Sequence, residues 1–161
     1  MKAASSAELK AALKGRTPAQ LTEICLRLAR FKKENKELLT YLLFEADDLE
    51  AYLRTVREEI AEGFIGLNRT TPYFTKKGLR KILRVTNKYI RYTGSKTAEA
   101  ELLIFFCQQI RTQGIPLRRS TVLQNLYDGQ LKKARAAVAA LHEDLQYEYM
   151  SALELLEERS E

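Results

Sequence analysis

The 161 residues include no tryptophan, one histidine, two cysteines, three prolines and seven glycines. Each shortage excludes something. A lone histidine, His142, cannot build the paired-histidine metal motifs that zinc and di-iron sites use. Cys25 and Cys107 lie far apart in the chain, match no metal-ligand spacing and sit in apolar helical patterns. That pattern reads as reduced, buried thiols of a cytoplasmic protein. Few prolines and glycines leave little material for tight β-turns. The apolar run Leu102–Cys107 is far shorter than the ~18 residues a membrane span needs, and the first fifteen residues lack an apolar signal core. No phosphate-binding glycine loop, dinucleotide fingerprint or G-x-S-x-G nucleophile turn occurs. Neither cysteine adjoins an activating base. The expectation is a protein that is not an enzyme, with no cofactor, no metal and no small-molecule ligand.

The most informative absence is local. Residues 63–98 contain nine cations and no carboxylate, whereas residues 1–62 carry eleven of each sign and residues 99–161 carry seven cations and ten carboxylates. The net charge of +6 is therefore a regional excess. Its centre is "KKGLRKILRVTNKYIRYTGSK", Lys76 to Lys96. With Lys77 at zero on a helical wheel of ~100° per residue, Arg80, Lys81, Arg84, Lys88 and Arg91 fall within ~60° to either side. Leu79, Ile82, Leu83, Thr86, Tyr89 and Ile90 take the opposite side. Like charges at i,i+4 oppose helix formation by a few tenths of a kcal/mol per pair. Lys77–Lys81, Arg80–Arg84 and Arg84–Lys88 all carry that penalty, which surface helices of mixed sign avoid.

What is present is helix-forming material. Alanine, leucine, glutamate, lysine and arginine dominate the sequence. Ser5 or Ser6 caps a short helix that ends near Lys14. Thr17-Pro18-Ala19-Gln20 is a capping box with proline at the first helical position. Leu21, Ile24, Cys25 and Leu28 then mark one apolar face. The polar cluster Lys32–Asn35 is expected to turn the chain into a second helix through Leu38, Leu39, Leu42 and Leu43. Because the apolar stripe stays in phase, one continuous helix over 18–46 is the alternative. Asp47, Asp48 and Glu50 open a helix with Leu49, Tyr52, Leu53, Val56 and Ile60 on one face. Gly63–Phe74 is the longest break, and the basic helix follows it. Ser95 caps a helix over 96–113 whose centre is apolar nearly all round, as in a central buried helix. Ser120 opens another stretch, Asp128-Gly129 is a candidate break, and residues 130–158 read as one long helix of ~40 Å.

The fold predicted is all-α. It comprises six or seven helices packed as antiparallel hairpins, as a bundle or a short HEAT-like stack, with a long C-terminal helix, in a single domain over 1–161. A partial echo between "ELLTYLL" (37–43) and "ELLIFFC" (101–107) is what a duplicated hairpin would leave. Leu131, Ala134, Val138, Leu141 and Leu145 form a two-heptad seam, suited to packing on the domain or to a dimer.

Several motifs invite a nucleic-acid reading and are incomplete. "GFIG" has the G-x-x-G spacing of a KH loop but no cation between its glycines and no strands around it. "ELKAALKGRTPAQLTEICLRL" resembles a SAP-type helix-extended-helix without that motif's apolar, glycine-containing linker. The segment "KKGLRKILRVTNKYIRYTGSKTAEAELLIFFC" is similar to short helical bacterial proteins of no assigned function. That resemblance implies a helical fold and brings no activity or site. "LARFKKENKELL" resembles a helical-repeat hairpin.

The functional expectation is a helical interaction or scaffold protein, as a monomer or a homodimer. Its electropositive face, made of Lys77, Arg80, Lys81, Arg84, Lys88 and Arg91, docks an acidic protein surface. The alternative is nucleic-acid binding through the same helix, joined by Arg111, Arg118 and Arg119 if they lie nearby. Two further possibilities stand: the acid-rich stretches 45–62 and 143–161, with seven carboxylates each, could cover the stripe within the fold or across a dimer, or the face is simply solvated.

Overall fold

The computed structural model describes residues 1–158. Among them there are eight α-helices and no strand: α1 (Ser6–Lys14), α2 (Pro18–Phe31), α3 (Lys33–Thr40), α4 (Leu49–Ile65), α5 (Pro72–Thr93), α6 (Lys96–Thr112), α7 (Thr121–Ala139) and α8 (Glu143–Glu158). A π-helical turn, Tyr41–Glu45, follows α3, and a 3-10 turn, Leu117–Arg119, precedes α7. The all-α class holds, and the helix count exceeds the six or seven expected. The contacts group the chain into two compact units, Met1–Glu45 and Ala46–Glu161.

In the first unit the capping signals act as the sequence implies. Ser5 and Glu8 form a reciprocal capping box at α1, and Thr17 and Gln20 form one at α2. α2 and α3 pack on each other. The break between them is narrower than the four-residue cluster suggested. Lys32 alone is extended, at φ −144° and ψ 147°, and Asn35 Nδ2 donates 2.8 Å to the Leu28 carbonyl across the step. None of α1, α2 or α3 contains a buried residue. Leu28, Phe31, Leu42, Leu43 and Phe44 are among the large apolar side chains left exposed. Cys25 is exposed as well, contrary to the buried thiol expected, because the α2 face it shares with Leu28 is not covered.

The second unit holds the core. α6 contributes Ala98, Ala100, Leu102, Leu103, Ile104, Phe106, Cys107 and Ile110, and packs against α4, α5, α7 and α8. α4 turns Tyr52, Leu53, Val56, Ile60 and Phe64 inward, with Phe64 and Phe106 tilted at 5.5 Å between ring centroids. Burying side chains of this size contributes about 1.5–3 kcal/mol each. That gain holds helices whose intrinsic propensity would leave them marginal in isolation.

Two expectations about the C-terminal part are corrected. Asp128-Gly129 does not interrupt α7, which starts at Thr121 and runs through it. Tyr127, Gln130 and Leu131 are buried on either side, and their packing exceeds the ~1 kcal/mol that a mid-helix glycine costs. The long helix over 130–158 is instead two helices, broken at residues 140–142. The turn is held by Gln146, whose Nε2 donates to the Ala139 and Leu141 carbonyls at 3.2 and 2.7 Å. His142 lies in this turn, not within a helix. The break also ends the heptad seam, since Leu131, Ala134 and Val138 are buried in α7 while Leu141 lies in the turn. The sequence echo joins unlike places: Leu42 and Leu43 are exposed in the π turn, and Leu102 to Ile104 are buried in α6.

Candidate interaction site on α5

α5 is set by both of its ends. Thr71 caps it, its hydroxyl accepting from Phe74 N, and Pro72 takes the first position. Gly94 closes it in the left-handed conformation at φ 60°. Backbone geometry there strains any residue with a Cβ, which is why glycine sits at this stop. The helix starts four residues before the quoted basic stretch, so the break is only residues 66–71. Arg69, in that loop, is tied to the end of α6. Its two terminal nitrogens donate to the Gln113 carbonyl (2.7 Å) and side chain (2.8 Å).

The rotation of α5 follows from its apolar side. Thr75, Leu79, Ile82 and Thr86 are buried, and Thr86 satisfies its hydroxyl by donating 3.0 Å to the Ile82 carbonyl. With that face inward the cations must face out. Lys77, Arg80, Lys81, Arg84 and Arg91 are exposed, and Lys88 is half-buried. They span about 21 Å of helix axis at 1.5 Å per residue. Lys88 is held against aromatic rings, with Nζ 4.8 Å from the Tyr89 centroid and 5.9 Å from that of Tyr92. The two rings meet edge to face at 6.0 Å, and Tyr89 meets Tyr52 likewise at 6.3 Å. Tyr89 is thus half-buried, and its hydroxyl donates 2.7 Å to Glu59.

Lys77, Arg80, Lys81, Arg84 and Arg91 form no ion pair among the described residues. Two carboxylates of the acid-rich stretches pair away from the stripe. On α4, Glu50 receives Arg57, which also bridges to Glu101 of α6. On α8, Glu157 binds Arg135 of α7. Glu99, at the start of α6, binds Lys96 at 2.6 Å. The last acid of the 143–161 stretch, Glu161, lies outside the described residues.

α5 borders two depressions. One, of about 730 Å³, lies between α4 and α5 and is lined by Lys77, Lys81 and Arg84 on one side and by Glu59 and Glu62 on the other. The second, toward α6, is lined by Arg80, Arg84 and Arg91 with Glu99. Arg111, Arg118 and Arg119 line neither; they share a separate depression near the 3-10 turn. Arg111 is moreover committed to the core, donating to the Tyr127 hydroxyl (3.0 Å) and the Leu156 carbonyl (3.1 Å). Arg111, held in this way, does not extend the stripe.

Sequence reasoning found the cations and missed the groove beside them. The available signal was Gly78, an isolated glycine within a helical pattern where no turn is needed; Gly63, which the sequence assigns to the Gly63–Phe74 break, lies inside α4. A Cβ on Gly63 would stand 3.0 Å from Ile82 Cγ1, and one on Gly78 would stand 2.2 Å from Leu67 Cδ1. Gly63 permits close approach of α5 to α4, and Gly78 admits Leu67 from the loop between them.

Fold and site together define an all-helical protein with an exposed cationic helix bordering an apolar groove. Comparison with known proteins finds no matching family model, no matching curated protein and no matching solved structure.

Proposed function

We propose that this is a non-catalytic interaction protein whose α5 face, Lys77, Arg80, Lys81, Arg84, Lys88 and Arg91, docks an acidic protein surface. The observation that carries the reading is that five of these six cations are exposed without an ion pair among the described residues. The chain nonetheless pairs charges between helices elsewhere, as at Arg57–Glu101 and Arg135–Glu157.

The surroundings favour a protein over nucleic acid. Carboxylates flank the stripe on both sides, Glu59 and Glu62 in one depression and Glu99 in the other. A nucleic-acid backbone is anionic throughout and would set phosphates beside them, whereas a protein can offer cations at those points. Tyr89 and Tyr92 are also stacked edge to face within the fold, an arrangement that offers no flat platform for bases.

The test is fluorescence anisotropy with labelled polyglutamate and with single-stranded and duplex oligonucleotides at ~150 mM salt, near the physiological screening length. Wild type should bind polyglutamate, and Lys81→Glu/Arg84→Glu should abolish that binding. Oligonucleotides retained more tightly than polyglutamate would replace this reading with the nucleic-acid one. Light scattering on the same samples reports whether the acidic surface belongs to a second copy of the chain.

A further inference from the structure

The α4–α5 depression has features that a charge stripe alone does not need. Its floor is apolar and lies beside the cations, not among them. On the α5 wheel Phe74, Gly78 and Val85 fall at ~60–100°, next to Lys77, Lys81 and Arg84 at ~0°, ~40° and ~−20°. Ile60 and Ile82 close the bottom and are buried, while Phe74 stays 44% exposed. The far rim belongs to α4, where Glu59 and Glu62 sit one turn apart. The two rims thus carry opposite signs. They do not neutralise each other: Lys77, Lys81, Arg84 and Glu62 have no ion pair among the described residues, and Glu59 is hydrogen-bonded to Tyr89. Gly63 and Gly78 let the side chains of Ile82 and Leu67 pack where a Cβ would stand.

We infer that this groove seats an amphipathic helix of a partner protein, its apolar stripe on the Phe74–Val85 floor, its carboxylate edge on Lys77, Lys81 and Arg84, and its cationic edge on Glu59 and Glu62. The inference rests on the proposed docking role of α5 and gives that partner a shape. A helix fits better than an extended strand because of the rim spacing. Lys77, Lys81 and Arg84 rise by ~6.0 and ~4.5 Å along the axis, a mean close to the 5.4 Å pitch at which one edge of a neighbouring helix repeats. Side chains on one edge of a strand repeat every ~6.6 Å and fall out of step within three contacts. From Phe74 to Val85 the floor is about 17 Å long, or three helical turns. Apolar anchors along one helix face laid into such a groove are an established recognition mode.

The probe is a designed three-turn to four-turn helical peptide with leucines on one face, glutamates along one edge and lysines along the other. A control peptide carries glutamine in place of the glutamates, and unstructured polyglutamate reports the stripe alone. Phe74→Ala removes an exposed part of the floor, and Val85→Gln places an amide in it; circular dichroism checks that each remains folded. The expected result is peptide binding that weakens at least tenfold in both floor variants and with the glutamine control, while polyglutamate binding is unchanged by the floor variants. Peptide binding that survives both floor variants but is lost in Lys81→Glu/Arg84→Glu would overturn the groove and leave the stripe standing. Polyglutamate binding without peptide binding would also overturn the groove alone. Failure of both ligands would overturn the groove and the docking role together.

Discussion

The strongest consequence of an uncompensated stripe is that disrupting it should stabilise the protein. Arg80 is the best position to show this. It has Lys76 and Arg84 at i±4 and Lys77 at i−3, all cationic, and it is exposed. The one carboxylate sharing its depression, Glu99, already binds Lys96 at 2.6 Å. Arg80→Glu converts three like-charge neighbours into opposite-charge ones. Each conversion is worth a few tenths of a kcal/mol of repulsion removed plus a similar attraction gained, and the new carboxylate would precede Arg84 by one turn, the favoured order of acid before base. Helix propensity is almost the same for the two residues. The total is about 1–3 kcal/mol, which for a chain of this size raises Tm by ~2–4 °C per kcal/mol. Arg80→Gln, which removes repulsion without adding attraction, should show about half. Both gains should shrink as salt rises from ~20 mM toward ~0.5 M, because the Debye length falls below the side-chain separations. Differential scanning fluorimetry at two salt concentrations reads all of this. A Tm that falls at low salt, or a rise that salt does not reduce, would refute the argument, since some contact within the fold would then be holding Arg80.

Three further outcomes follow from the core. Tyr127→Phe removes a hydroxyl that donates 3.0 Å to the Leu156 carbonyl and accepts from Arg111, but Arg111 still reaches that carbonyl at 3.1 Å. The expected loss is about 1 kcal/mol, read as a lower urea midpoint with an unchanged slope. Burial pushes the Cys107 thiol up from 9.0 to about 12, and burial and then Glu101 push Tyr149 from 10.0 to about 12. The folded chain therefore keeps protons that the unfolded chain loses, so stability is complete below about pH 9 and falls as pH rises through ~10–12; urea midpoints at pH 8 and pH 10.5 measure it, and native thiol labelling should modify exposed Cys25 and spare Cys107. Amides of α1–α3, which contain no buried residue, should exchange with deuterium well before those of α6, the most buried helix of the second unit.

What the sequence disclosed was governed by range. The starts at Ser5, Thr17, Asp48, Ser95 and Ser120 depend on hydrogen bonds spanning three or four residues, and all occur where the pattern placed them. The outward stripe was equally legible, because a single helix with one apolar face decides which residues it turns to water. Features that depend on a second helix were not. Gly129 has the local chemistry of a break, but the burial around it decides otherwise. The turn at residues 140–142 carries neither glycine nor proline, and its hydrogen bonds come from Gln146 after the turn. Glu59 and Glu62 were visible as acids of an acidic helix, but their place opposite Lys77, Lys81 and Arg84 exists only once α4 and α5 pack.

That placement bears on why the opposite charges remain apart. α4 and α5 are consecutive, packed on each other, and charged with opposite sign along the rims that face the same groove. Shortening the gap between rims would pair them, and such pairs are within reach of this fold, which bridges α4 to α6 through Arg57 and α7 to α8 through Arg135. An exposed pair of that kind would contribute only about 0–1 kcal/mol, so stability alone gives little reason to form or to avoid it. The buried side settles the geometry instead. Leu79, Ile82 and Thr86 on α5 and Val56, Ile60 and Phe64 on α4 fix how each helix is rotated, and the rims are what those rotations leave outside. A charge pattern that the core positions but does not use is available to a partner. It is also the part of the surface where substitutions such as Arg80→Glu can raise stability and weaken docking in the same molecule.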